Sequence, residues 1–164
     1  MLRARLWYGP AGQDVALDRV ARYLSGPLAC TTRPTQRRHR DGWVAQIELR
    51  GPLCAAVEQI RAPHVGAEAE LLARRLHPAA PGALAKRLVA CTARLEVHDL
   101  PGAAPFLPAT GTARSVLLPL AYAMDGYVEE VETGRLFYYP KPGDRRRTAP
   151  MRFALAALGR LIRR

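Results

Sequence analysis

Three stretches of this chain alternate apolar and polar residues with a strict period of two, and that pattern restricts the fold more than any other feature. Leu2, Ala4, Leu6 and Tyr8 alternate with Arg3, Arg5 and Trp7. Trp43, Ala45, Ile47 and Leu49 alternate with Val44, Gln46, Glu48 and Arg50. Val89, Cys91, Ala93, Leu95 and Val97 form an inward row, with Arg94, Glu96 and His98 pointing outward. Successive side chains of a strand point to opposite faces, so each stretch predicts a strand with one buried face.

The segments between them carry helical spacing. Leu17, Val20, Ala21 and Leu24 predict a helix over 14–25, with an Asp18–Arg22 pair and Gly26 at its end. Residues 28–32 suggest a short strand, and 33–41 a polar, basic connector. Leu53, Ala56, Val57 and Ile60 predict a helix after Gly51-Pro52, and residues 68–76 resume helically after Pro63. The order is then β-α-β-β-α-β, the ferredoxin-like pattern of an antiparallel sheet with helices on one face. Residues 99–111, rich in Pro and Gly, predict a loop. Val116, Leu117, Leu120, Ala121 and Met124 predict a helix over 112–124 with Pro119 inside it, and Gly126 is the expected positive-φ residue after it. A hairpin follows, turning at Thr133-Gly134. The expected fold is therefore α+β: a ferredoxin-like unit extended by a further α-β-β unit. Residues 1–140 form a single domain, and 141–164 form a basic linker and an amphipathic C-terminal helix.

Charge narrows the partners. The chain has 25 basic and 14 acidic side chains, a net +11. Residues 141–164 contribute +7 of this, so most of the excess lies beyond the hairpin. Such a balance suits nucleic acid, an anionic membrane or an acidic protein surface. Cys30, Cys54 and Cys91 are odd in number and lack metal-type spacing, so reduced thiols packed as small hydrophobes are expected, in a cytoplasmic setting. The N-terminus lacks the apolar core of a signal peptide, and no run reaches transmembrane length.

Catalytic signatures do not emerge. His39, His64, His77 and His98 are scattered and read as solvated imidazoles, with no metal or cofactor expected. Ser25 and Ser115 lie outside any nucleophile elbow. Neither phosphate-binding glycine loop is present. A spatially assembled site that draws on His98, Asp99 or the hairpin carboxylates is the enzyme alternative. Residues 33–40 and the tail offer Arg37, Arg38, Arg40, Arg145, Arg146 and Arg147 as phosphate contacts, which defines a nucleic-acid alternative. The strand over 89–98 holds no aromatic residue, which counts against a typical RNA-binding sheet.

The hairpin itself concentrates aromatic and charged residues: Tyr127, Glu129, Glu130, Glu132, Arg135, Phe137, Tyr138 and Tyr139. Such a mixture suits a protein contact surface. The stretch LLPLAYAMDGYVEEVETGRLFYY, in which an apolar helix, an Asp-Gly, a strand, a Thr-Gly turn and an aromatic strand succeed one another, resembles a pattern in uncharacterised bacterial immunity-type proteins of polymorphic toxin systems. The resemblance covers roughly residues 110–140. It implies a small non-catalytic protein that binds a cognate toxin and occludes it, with these hairpin residues at the contact.

Overall fold

The alternation at the N-terminus builds the centre of the molecule. In the computed structural model, which describes residues 1–10, 15–39, 42–51, 53–76, 82–108 and 111–139, Leu2–Tyr8 forms strand β1. It lies between β5 (Ala93–His98) and β6 (Tyr127–Glu130), antiparallel to both. On the β5 side follow β4 (Ala55–Ile60), β3 (Gly42–Arg50) and β2 (Thr31–His39). On the β6 side follows β7 (Arg135–Phe137). The result is a seven-stranded antiparallel sheet of order β2-β3-β4-β5-β1-β6-β7.

Among the described residues four helices cover it: α1 (Leu17–Leu28), α2 (His64–Leu76), α3 (Gly82–Val89) and α4 (Gly111–Ala123). They lie on both faces, not on one. Leu6, Tyr8, Ile47, Leu49, Val57, Leu95 and Val97 point to the first face and meet Val20 and Leu24 of α1 and Val116, Leu117 and Leu120 of α4. Trp7 and Tyr127 point to the second face and meet Val65, Ala69 and Leu72 of α2 and Leu84 and Leu88 of α3. Burial of this apolar surface on both sides is the main stabilising term.

Several elements differ from expectation. Residues 55–60 form β4, within the stretch where helical spacing suggested a helix. A short apolar run fits either period, and here ladders to β3 and β5 decide for the strand. The basic connector over 33–41 supplies most of β2, an edge strand paired with β3 at nine positions. Its exposed faces are both polar, so no alternation revealed it. Residues 82–89 form α3, so the strand expected from Val89 begins at Ala93. The element order is thus β-α-β-β-β-α-α-β-α-β-β, not a β-α-β-β-α-β unit with an extension. Helix α1 runs through Gly26 and ends where Ala29 turns left-handed, at φ 49°. After α4 the left-handed residue is Asp125, at φ 54°, and not Gly126. The expected C-terminal helix lies outside the described residues. No helix among them is long and apolar enough to cross a membrane.

Gly126 has a different purpose. A Cβ there would lie 2.3 Å from the carbonyl oxygen of Trp7. The missing side chain lets β6 close against β1, which fixes the register Leu6↔Val128 and Arg5↔Glu129.

Candidate functional site

Helices α2 and α3 pack on the β5, β1 and β6 part of the second face, around Trp7 and Tyr127. Beside that apolar patch the same face carries charge. Arg3 and Arg5 on β1, Arg94, Glu96 and His98 on β5, Glu58 on β4, Gln46 on β3, Arg37 and His39 on β2 and Glu129 on β6 all belong to it, because the strand period sets them opposite the first-face core residues.

Glu58 is the centre of one half. It is 0% exposed. One oxygen, Oε1, accepts hydrogen bonds from Gln46 Nε2 at 2.9 Å and Arg37 Nη1 at 3.0 Å. The other, Oε2, lies 3.0 Å from His39 Nε2 and 3.5 Å from His98 Nε2. Thr35 donates to Gln46 Oε1 at 3.1 Å and steadies the amide. The His39 contact also says something about shape. Thr35 is level with Gln46, and Gln46 with Glu58. His39 is four residues further along β2, roughly 13 Å in a flat strand. The far end of the β2–β3 pair therefore curls over the second face.

Glu96 is the centre of the other half. Its Oε1 accepts from Arg94 Nε at 2.7 Å and Arg5 Nε at 3.4 Å, and its Oε2 lies 3.4 Å from His98 Nε2. Burial pushes this carboxyl up, but the His98 imidazole close by and the charges of Arg94 and Arg5 outweigh that and hold it down at about 2. Arg94 also pairs with Glu68 of α2. The guanidinium carbons of Arg94 and Arg5 stand 5.0 and 5.9 Å from the Trp7 ring centre, within cation–π range. Trp7 Nε1 donates to Glu129 Oε2 at 2.8 Å, and Arg75 of α2 reaches Glu129 Oε1 at 3.2 Å. At the end of the sheet Arg3 donates to Asp99 at 2.8 Å. Burial raises the Asp99 carboxyl, but the Phe106 backbone N–H and Arg3 lower it further than burial raises it.

The histidines expected to be separate are thus partly joined: His39 and His98 meet over Glu58. One donor atom from each of Glu58, Glu96 and His98 lies within 4.8 Å of the others. Glu58 was hidden by the helical reading of its segment. Glu96 and His98, two apart on a recognised strand, carried a signal for a shared face, though burial of that face was not legible.

The hairpin residues divide between inside and outside. Tyr127 and Glu129 are buried, so a partner does not reach them in this fold, which corrects their assignment to a contact surface. Tyr138 packs edge-on against Tyr127, with ring centres 5.6 Å apart, as part of the second-face core. Glu130 is half-buried and tied to Thr133, while Glu132 is exposed and pairs with Arg3 at 3.2 Å. Arg135, Phe137 and Tyr139 turn the other way. The guanidinium carbons of Arg114 on α4 and Arg135 on β7 lie 5.3 and 5.6 Å from the Phe137 ring centre. Tyr139 meets Tyr122 of α4 edge-on at 6.0 Å, and both are exposed. Tyr23 is beside them: burial raises its phenol above the ordinary value, and Tyr139 adds to the effect.

Of the expected phosphate contacts, Arg37 is engaged by Glu58 and Arg38 is exposed on the edge strand. Arg40, Arg145, Arg146 and Arg147 lie outside the described residues. All three cysteines are free thiols, Cys30 and Cys91 buried and Cys54 partly so. No protein-family model matches the chain, and no curated protein or solved structure matches it at a significant level.

Proposed function

We propose that this protein is a non-catalytic binding module that docks another protein, in the manner of an immunity protein that occludes a toxin. The supporting observation is the patch formed by Arg114, Arg135, Phe137, Tyr122 and Tyr139. Tyrosine and arginine dominate the energetics of protein contacts, because each offers a large, rather rigid surface with a polar end. Here they come from α4, from β7 and from Tyr139 just beyond it, and are already ordered by ring and cation–π contacts. Preorganisation of this kind lowers the entropy cost of docking.

The two arginines favour an acidic partner surface, and the net charge of +11 favours fast encounter with one. Occlusion needs no nucleophile. The site consists of side chains that cover, and the partner's own active site is what they block.

The test is affinity capture from host lysate at about 0.5 M salt, well into the screened regime. The full chain is compared with Arg135→Glu and Tyr139→Ala. A protein held by the wild type and weakened at least ~30-fold by either change, as expected for a contact worth ~2 kcal/mol, supports the reading. An inhibition assay on that protein then tests occlusion. Equal retention by the variants, or recovery of nucleic acid alone, overturns it.

A further inference from the structure

We propose that Glu58, Glu96 and His98 form a binding site for a single divalent transition cation of the zinc type, with His39 as the fourth ligand once its Nε2 swings from Glu58 Oε2 to the cation. The donor set is mixed nitrogen and oxygen, two imidazoles and two carboxylates, which suits a borderline cation of that class. The site is independent of the hairpin patch and lies on the opposite face of the sheet.

Spacing is the first argument. Bonds of about 2.0–2.1 Å in a tetrahedral site place neighbouring ligand atoms about 3.3 Å apart. His98 Nε2 stands 3.5 Å from Glu58 Oε2 and 3.4 Å from Glu96 Oε2, and the donors of these three residues lie within 4.8 Å of one another; His39 Nε2, 3.0 Å from Glu58 Oε2, stands beside that group. An imidazole held simply as an ion pair would sit at about 2.7–2.9 Å. His98 sits further out, midway between two carboxylates.

The second argument is the imidazole nitrogen itself. His98 Nε2 is buried and makes no hydrogen bond of acceptable geometry among the described residues. Its neighbours are the Oε2 atoms of Glu58 and Glu96, at 3.5 and 3.4 Å, too far for a good bond to either, and a cation between the three atoms would satisfy all of them.

The third is the arrangement around the donors. Each carboxylate is anchored through Oε1 and offers Oε2 to the gap: Gln46 and Arg37 hold Glu58, and Arg94 and Arg5 hold Glu96. Orienting contacts of this kind are what fixed metal ligands require. His98 Nδ1 lies 3.5 Å from Arg37 Nη1, which only donates. For Nε2 to bind the cation, Arg37 turns from Nδ1 toward Glu58, which it already holds at 3.0 Å, and Nδ1 takes the ring proton. The bound cation would join β2, β4 and β5, and would pin the curled end of the edge strand to the sheet.

The experiment uses the full chain and the metal alone. Zn2+ is titrated by calorimetry in a non-coordinating buffer, and Co2+ by visible absorption, whose intensity reports four-coordination. Long-range 1H–15N spectra then follow the ring nitrogens. One equivalent should bind, with the Nε2 resonances of both His39 and His98 shifted. Affinity should fall at least ~10-fold in His39→Ala, an edge-strand change that circular dichroism can verify as folded, and further in His98→Ala. A variant lacking both His64 and His77 should bind as the wild type does. Absence of saturable binding, unshifted His98 nitrogen, or full affinity in a folded His39→Ala and His98→Ala double variant overturns the proposal.

Discussion

Replacement of Gly126 by alanine sets a Cβ 2.3 Å from Trp7 O, where real Cβ contacts stay beyond 3.0 Å. One of the two backbones must retreat by the difference, about 0.7 Å, as overpacked cores do. Neither retreats freely. Gly126 N–H donates to Ala121 O at 2.6 Å, which ties the residue to the end of α4. Trp7 is held from the other side by β5, through Trp7↔Arg94, and by its own bond to Glu129. The movement therefore opens the Trp7↔Tyr127 end of the β1–β6 ladder. Overpacking costs about 1–3 kcal/mol, and each weakened ladder bond about 0.5–1.5 kcal/mol. The expected loss is about 2–4 kcal/mol, read as a lower urea midpoint by tryptophan fluorescence at an unchanged slope. Gly66→Ala is the control. It lies in α2 with open space where its Cβ would go, so it should stabilise by up to about 1 kcal/mol. A Gly126→Ala protein within about 0.5 kcal/mol of wild type would refute the close-approach argument, since surface-like changes fall in that range.

Three further expectations follow from the second face and the thiols. A double-mutant cycle of Trp7→Phe and Glu129→Gln should show a coupling of about 1–2 kcal/mol in urea unfolding, because the indole N–H and the buried carboxylate lose each other; additive changes would deny that bond. Glu96 is held at about 2 in the fold against an ordinary 4.5. A folded value below the unfolded one gives stability that is complete above the unfolded value and lost as pH falls toward the folded value. Without added metal, urea midpoints should therefore drop below about pH 4.5, and Glu96→Gln should flatten the slope; Asp99, also lowered, contributes in the same direction. An equal slope in Glu96→Gln would count against the ion-pair geometry. Among the thiols, a colourless disulfide reagent should modify Cys54 in the native state and reach Cys30 and Cys91 only on unfolding; prompt reaction of all three would contradict their burial.

What the sequence made legible follows the physics of each signal. β1 was plain because one of its faces is wholly apolar, and the burial of Leu6 and Tyr8 matches its alternation. α4 was plain because its stripe of Val116, Leu117, Leu120 and Ala121 is long enough to exclude a strand. β4 was misread because Ala55–Ile60 is only six residues long, its apolar residues do not alternate around the adjacent Glu58 and Gln59, and it is largely buried on both sides. A strand buried on both sides has no period to display. β2 failed for the opposite reason: at the sheet edge its side chains face water on both sides, so nothing selects apolar residues at alternate positions.

The polar face was lost through those same two strands. Glu58 is carried by β4 and His39 by β2, and they meet across β3 only because the edge of the sheet curls. Glu96 and His98 did lie on a recognised strand, but outward-pointing charge normally means solvent. Their burial comes from neighbours distant in sequence: α2, whose Glu68 pairs with Arg94, and β4, which contributes Glu58. The site is thus built from long-range pairing, while the sequence displays only local period. The hairpin shows the converse. Its aromatic residues were visible as a group, and parity along the strands divides them, sending Tyr127 and Tyr138 into the core with α2 and α3 and Phe137 and Tyr139 toward α4. That division follows from register alone, fixed by Val128↔Phe137. A one-residue slip would exchange the two sets and turn Arg135 toward the second-face core. The close approach at Gly126 and the Trp7–Glu129 bond hold β6 in its register on β1, and β7 pairs on β6 in turn, so the packing of the second face fixes the strand on which the other face is built.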